Sequence, residues 1–236
     1  PFGGPGYRTR DPADVVSEVD MLYRQYGVKT FKIIDEMFVL RPKHYLTICE
    51  GLAALPYASE LNFWAYARID TVRPNSLKLL RSAGIQWLAL GIESGSAHVR
   101  DGALKKIDQQ NIFNTVRDIQ DAGIKVIGNF IFGLPDDTIE SMTETLDMSL
   151  ALGCDFVNMY SAMAYPGSKL FTLADPKDLP DSWSGYSQHG HETRPLPTAT
   201  LTSAEVLHFR DKAHQTYFHG NDELTRPLKR KLLEHI

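Results

Sequence analysis

The sequence predicts an α/β protein of the (β/α)-barrel type, and three observations carry that expectation. First, five apolar runs each end in polar or turn-forming residues. The clearest is residues 87–96 (WLALGIESGS), whose apolar first half gives way to Gly91, Glu93, Ser94, Gly95 and Ser96. An uninterrupted apolar run suits a parallel strand covered on both faces, and glycines after it let backbone approach a ligand. Second, the runs are separated by segments with the spacing of amphipathic helices. Third, each crossover has about the length a parallel connection requires. Strands that deliver polar residues at one shared end build a single site from several loops, as barrels do. A doubly wound open sheet is the competing topology.

Along the chain, residues 1–10 (PFGGPGYRTR) read as a loop, and the start without methionine suggests a piece of a longer protein. Asp11-Pro12 is an N-cap followed by proline at the first helical position, opening a helix whose stripe is Val15, Val16, Val19, Leu22 and Tyr23 and whose stop is Gly27. The run 31–38 (FKIIDEMF) is the first strand and ends in Asp35 and Glu36. A helix over 41–55 places Leu46, Cys49, Leu52 and Ala53 on one face. The strand 62–70 (NFWAYARID) then delivers Arg68 and Asp70.

A helix carrying Leu77, Leu79 and Leu80 stops at Gly84 before the Glu93 strand. Asp108 caps the next long helix, which Gly123 ends. Lys105 and Lys106, just upstream, read equally as solvated surface or as contacts for an anion. Residues 125–137 (KVIGNFIFGLPDD) form a strand running into Gly133, Pro135 and Asp136, and 137–152 an amphipathic helix. The last strand lies in 155–168 (DFVNMYSAMAYPGS). Beyond it, residues 177–200 are rich in proline and aromatics without a period, the composition of a lid or of a packed excursion over a barrel mouth. A final helix spans 203–218, and a basic tail follows.

Composition bounds the function. A chain of 236 residues with 43% hydrophobic content can bury a full core, and a formal charge of −4 argues against a phosphate-backbone partner. No apolar run is long enough to cross a bilayer and the amino terminus is unlike a signal, so the expectations are no membrane, no nucleic acid and a cytoplasmic location. The two cysteines, Cys49 and Cys154, sit in apolar surroundings and read as packing residues. His189 and His191 lack a third ligand nearby in sequence, so no metal is assigned to them.

The strand-end motifs IIDEMF, WAYARIDTV, LGIESGS, GNFIFGLPDD and AYPGS, in that order, resemble those of radical S-adenosylmethionine (radical SAM) enzymes. The likeness is greatest to the subgroup that often carries an amino-terminal cobalamin-binding domain, and it covers residues 7–173. It implies a partial (β/α)6 TIM-like barrel over residues 1–173, with the first strand and cluster loop upstream, and a lid loop and helical extension over 174–236. It further implies that Asp35 and Glu36 lie near the SAM amino group, Arg68 near its carboxylate, and Glu93 and Ser94 near the ribose and methionyl part. Asn129, Ile131 and Gly133 stand at the family's GxIxGxxE motif against adenine, with Asp136 at the glutamate position. Tyr160 and Tyr165 would face the barrel mouth or its rim.

The family's activity would be reductive cleavage of SAM to a 5′-deoxyadenosyl radical for hydrogen abstraction from a small-molecule substrate, with methyl transfer to carbon where cobalamin is present. The implied cofactors are SAM, a [4Fe–4S] cluster and cobalamin from an upstream domain; the implied electron donor is a flavodoxin or ferredoxin. One departure stands out: the family's CxxxCxxC cluster motif is absent from this chain, which on its own is therefore expected to be inactive. A cluster-free SAM- or nucleotide-binding scaffold is the alternative. An ordinary lyase or aldolase using Glu93 and Asp35 is disfavoured, because no strand ends in a nucleophilic lysine.

Overall fold

The structure, a computed structural model, describes residues 8–102, 108–190 and 192–219. Helix α1 (Pro12–Tyr26) precedes β1 (Thr30–Lys32), α2 (Pro42–Ala53) precedes β2 (Asn62–Arg68), and α3 (Pro74–Ser82) precedes β3 (Ile85–Glu93). Helices α4 (Ala97–Gly102) and α5 (Gln109–Asp121) lead to β4 (Lys125–Phe132), and α6 (Ile139–Leu152) leads to β5 (Phe156–Ser161). The short α7 (Lys169–Leu173) and the long α8 (Ser203–His219) follow. The five parallel strands form one sheet in the order β1-β2-β3-β4-β5. Spatial order follows chain order without the reversal that defines a doubly wound sheet, so the topology is that of a partial (β/α) barrel.

The described residues group into two units. One comprises residues 8–91 with Gln110–Ile127, the other the described parts of Ile92–Gln109 and Gly128–Ile236. In the first unit, α1 begins where the Asp11 carboxylate accepts the Ala13 N–H at 2.8 Å and stops where Gly27 turns left-handed at φ 68°. Strand β2 alternates as a strand packed harder on one face should: Phe63, Ala65 and Ala67 are buried, whereas Trp64, Tyr66 and Arg68 are half-buried. Phe31 lies opposite Phe63 in register and stacks on it, ring centres 4.9 Å apart. Lys32 Nζ sits 4.1 Å from the Trp64 ring centre, and Lys125 Nζ 4.7 Å from that of Trp87. Each ring face gives its ammonium group a favourable electrostatic partner, at an exposed position for Lys32 and a half-buried one for Lys125.

Strand β1 is shorter than the apolar run 31–38 suggests. Its ladder closes with the Ile33 N–H on the Trp64 carbonyl at 2.9 Å. The Asp35 carboxylate then accepts the Met37 N–H at 2.9 Å, a local bond that turns the chain before extended pairing can continue. A 3₁₀ turn over Phe38–Leu40 follows and buries Phe38 and Val39.

In the second unit, Phe130 and Phe132 of β4 are fully buried, and the Ala162 N–H reaches the Phe132 carbonyl at 2.8 Å. Helix α8 packs on β5 and α6 through Val206, Ala213 and Tyr217. Among its described residues, the aperiodic stretch before α8 holds the 3₁₀ turns Pro176–Asp178 and Trp183–Tyr186 and no other helix or strand. The tail over 220–236 and the pair Lys105 and Lys106 lie outside the described residues. Among the described residues, no helix is long and apolar enough to cross a membrane.

Candidate functional site

The sequence-predicted residues fall three in the first unit and five in the second; all but Asn129, which lies within β4, sit at or just beyond the carboxyl end of a strand. In the first, Asp35 is half-buried and Glu36 exposed, separated from the end of β1 by Ile33 and Ile34. Arg68 ends β2 and is clasped by Asp70, with Nε to Oδ1 at 2.9 Å and NH2 to Oδ2 at 2.7 Å. The pair is about two-fifths exposed on each side, so it adds little stability. Its effect is orientation: a fork held on one edge presents its remaining N–H groups in a fixed direction.

In the second unit, the end of β3 is built with unusual backbone. Glu93 is the one non-glycine among the described residues at positive φ, 69°. The Ser94 N–H closes a three-residue turn onto the Ile92 carbonyl at 3.1 Å, which makes Glu93 the centre of the rare, strained hand of the γ-turn. Such strain costs on the order of 1–3 kcal/mol and persists only where the surroundings over-determine it. Here they do. The Ser94 side chain is fully buried and bonds Thr145 Oγ1 at 3.1 Å, and the Gly95 N–H reaches the same oxygen at 2.9 Å. Thr145 Oγ1 donates to the Ser141 carbonyl, so the Ser94 hydroxyl is the donor to Thr145. The Ser96 N–H in turn caps Ser94 Oγ at 3.1 Å. Ser94 therefore serves the turn with its hydroxyl.

Within β4, Asn129 accepts a bond from Asn158 Nδ2 at 2.9 Å, and nearer the strand's end Ile131 packs beside Val99, Leu134 and Ala162. Gly133 follows at φ 80°. The carboxylate that shapes this turn is Asp137, whereas Asp136 is exposed. One oxygen of Asp137 accepts the Gly133 and Leu134 N–H groups, both at 2.9 Å, and the other accepts the Ser141 hydroxyl at 2.6 Å. Burial pushes its carboxyl above the ordinary range, and the three hydrogen bonds pull against that. Alanine at 137 strips two buried amides of their acceptor and should lower stability by about 2–4 kcal/mol. Asparagine keeps an acceptor for both amides and should cost under about 1 kcal/mol, a contrast that thermal melting will resolve.

The cysteines do not fit a cluster. Cys49 and Cys154 are buried, and burial pushes both thiols up to about 12, far from the thiolate that iron requires. Among the described residues no group of histidine, cysteine and carboxylate side chains has metal-binding geometry. His189 lies against Tyr160, ring centres 5.2 Å apart, and His191 is outside the described residues. Tyr165 is partly exposed and neighbours Tyr186.

The chain is 26% identical over 186 residues to an uncharacterized methyltransferase of Pyrococcus horikoshii, covering 78% of this chain and 40% of that protein. It is 28% identical over 204 residues to the anaerobic magnesium-protoporphyrin IX monomethyl ester cyclase of Cereibacter sphaeroides, covering 85% of this chain and 33% of that one. The radical S-adenosylmethionine methyltransferase TsrM of Kitasatospora setae, solved with cobalamin and a [4Fe–4S] cluster, shares the fold. Its TM-score is 0.66 at 19% identity, over 86% of this chain and 39% of that chain. The chain thus spans two fifths or less of the length of these relatives. With residues 2–149 matching the Radical SAM superfamily, and the strand ends built as described, the chain belongs to that superfamily.

Proposed function

We propose that these residues are the S-adenosylmethionine-holding part of a radical SAM enzyme, one that cleaves SAM reductively to a 5′-deoxyadenosyl radical for hydrogen abstraction from a small-molecule substrate. The observation that carries the reading is the strained, fully braced turn presenting Glu93 at the end of β3. The donor set suits the ligand's chemistry. Asp35 and Glu36 offer carboxylates to an ammonium, Arg68 offers N–H groups to a carboxylate, and Glu93 accepts from ribose or methionyl donors. Asn129, Ile131 and Gly133 supply a mixed polar and apolar wall for adenine, and Ser94 contributes by fixing Glu93.

On this reading the cluster ligands come from outside these 236 residues, since the family's motif needs three closely spaced cysteines and this sequence has two, both buried and far apart in sequence. An open seat supports an additional strand carrying them. Among the described residues β1 stands at the edge of the sheet, and a cavity of about 880 Å³ beside it has a mixed wall, apolar at Val15, Phe31 and Ile48 and charged at Arg10, Asp35 and Glu36. Among the described residues this edge has a strand on one side alone, and its backbone donors and acceptors would suit a further strand. The relatives named as methyltransferases, one of them solved with cobalamin, support methyl transfer as the reaction; carbon as the acceptor, an upstream cobalamin domain and a flavodoxin or ferredoxin as reductant are what the motif resemblance implies. On this reading the 236 residues alone do not cleave SAM.

The test uses the cluster-loaded parent protein with SAM and a reductant, reading 5′-deoxyadenosine and methionine. The wild type should form both. Glu93→Ala and Arg68→Ala should each lose at least about tenfold, as expected for a charge-assisted bond of about 1.5–3 kcal/mol, with iron content unchanged. Normal cleavage in both variants would overturn the assignment. A parent protein that binds S-adenosylhomocysteine but holds no iron would instead be a cluster-free scaffold.

A further inference from the structure

We infer that Arg100 is a positioning residue for the Glu93 carboxylate, holding the backbone turn that aims it. Arg100 is 2% exposed, and its NH1 donates to the carbonyls of both Ser94 and Gly95, at 2.7 and 2.8 Å. Successive carbonyls of an extended strand point to opposite sides. One nitrogen reaches two in a row only where the chain turns sharply, so this pair of bonds fixes the Ser94–Gly95 and Gly95–Ser96 peptide planes, which begin one residue beyond Glu93. The opposite side of the turn is fixed by Thr145, through the Gly95 N–H and the Ser94 hydroxyl. The turn is gripped at its carbonyls by a guanidinium and at its amide by a hydroxyl.

The grip matters because the direction of the Glu93 side chain is set by its φ of 69°. At an ordinary extended φ the Cα–Cβ bond swings to a different direction and the carboxylate leaves its place, whatever its neighbours do. Packing alone would be served by a methionine or leucine of similar volume, which avoids the desolvation of a guanidinium. A buried cation with two consecutive carbonyl acceptors is a donor in demand. Arg100 acts through Glu93, and this role rests on the adenosyl-holding reading of Glu93 given above.

The experiment compares Arg100→Met, Arg100→Lys, Glu93→Ala and the Arg100→Met/Glu93→Ala double variant in the cluster-loaded parent protein. Two quantities are read: the affinity for S-adenosylhomocysteine by calorimetry, and amide hydrogen exchange at residues 94–96, with β2 amides as the folding control. Arg100→Met should weaken binding at least about tenfold in the wild-type background but by less than about twofold when Glu93 is already alanine. Exchange at Gly95 and Ser96 should accelerate while β2 stays protected, and Arg100→Lys, which keeps a donor, should recover part of both. An equal loss in both backgrounds would overturn the inference, since Arg100 would then act on the fold generally. Unchanged exchange at 94–96 would overturn it too. If Arg100→Met does not fold, Arg100→Lys takes its place in the same comparison. If Glu93→Ala alone leaves affinity unchanged, the adenosyl reading fails, while the exchange data still decide whether Arg100 holds the turn.

Discussion

Alanine at position 95 is expected to cost about 3–5 kcal/mol and to lower the melting midpoint by about 10 °C. A β carbon there would lie 2.4 Å from the Glu144 carbonyl oxygen, 2.7 Å from its carbon and 2.7 Å from Thr145 Cα. All three are backbone atoms of α6, so no rotamer change relieves the overlap. Either α6 shifts or the turn lifts away, and lifting breaks the bonds that Gly95 and Ser94 make to Thr145. Overpacking against backbone and two unmet buried polar groups add in the same direction. Calorimetric melting of the wild type and Gly95→Ala checks the size; a midpoint within about 2 °C of wild type would mean the turn is free to move.

Gly133→Ala should cost nearly as much, about 2–5 kcal/mol, and for a separable pair of reasons. The first is conformational: φ is 80°, where an alanine is strained by about 1–2 kcal/mol. The second is packing: the new β carbon would fall 2.3 Å from Val206 Cγ1 on α8, a fully buried and β-branched side chain with little rotamer freedom. Gly153→Ala is the internal reference, having a φ of 59° with nothing within 4 Å of the added carbon, and it should lose only the conformational part. Adding Val206→Ala to Gly133→Ala should relieve the overlap and leave the strain. A double-mutant cycle on melting data without such coupling would contradict the packing argument.

The strand ends were legible in the sequence because apolar runs broke off into charged and small residues, and Asp11-Pro12 and Gly27 marked the first helix as clearly as its structure does. The extent of β1 was not. Residues 31–38 read as one strand, but pairing needs a neighbour and a backbone not already engaged, and Asp35 engages it with the Met37 amide. Likewise, nothing in the string PDDT separates Asp136 from Asp137. Only the path of the turn decides which carboxylate is folded inward to collect two amides and a hydroxyl. Thr145 and Arg100 were invisible for a related reason. Apart from the Ser94 hydroxyl that meets Thr145, their partners are backbone atoms of Ser94 and Gly95, and backbone acceptors and donors leave no signature in residue type.

Ser141 and Thr145 stand four residues apart, one above the other on α6. Through Ser141 the helix meets Asp137 and hence the loop after β4; through Thr145 it meets the loop after β3. Two loops that would otherwise sample their own geometries share a common rail. Sliding that rail by even one residue would detune both together, so whatever each loop touches is matched to the other before any molecule arrives.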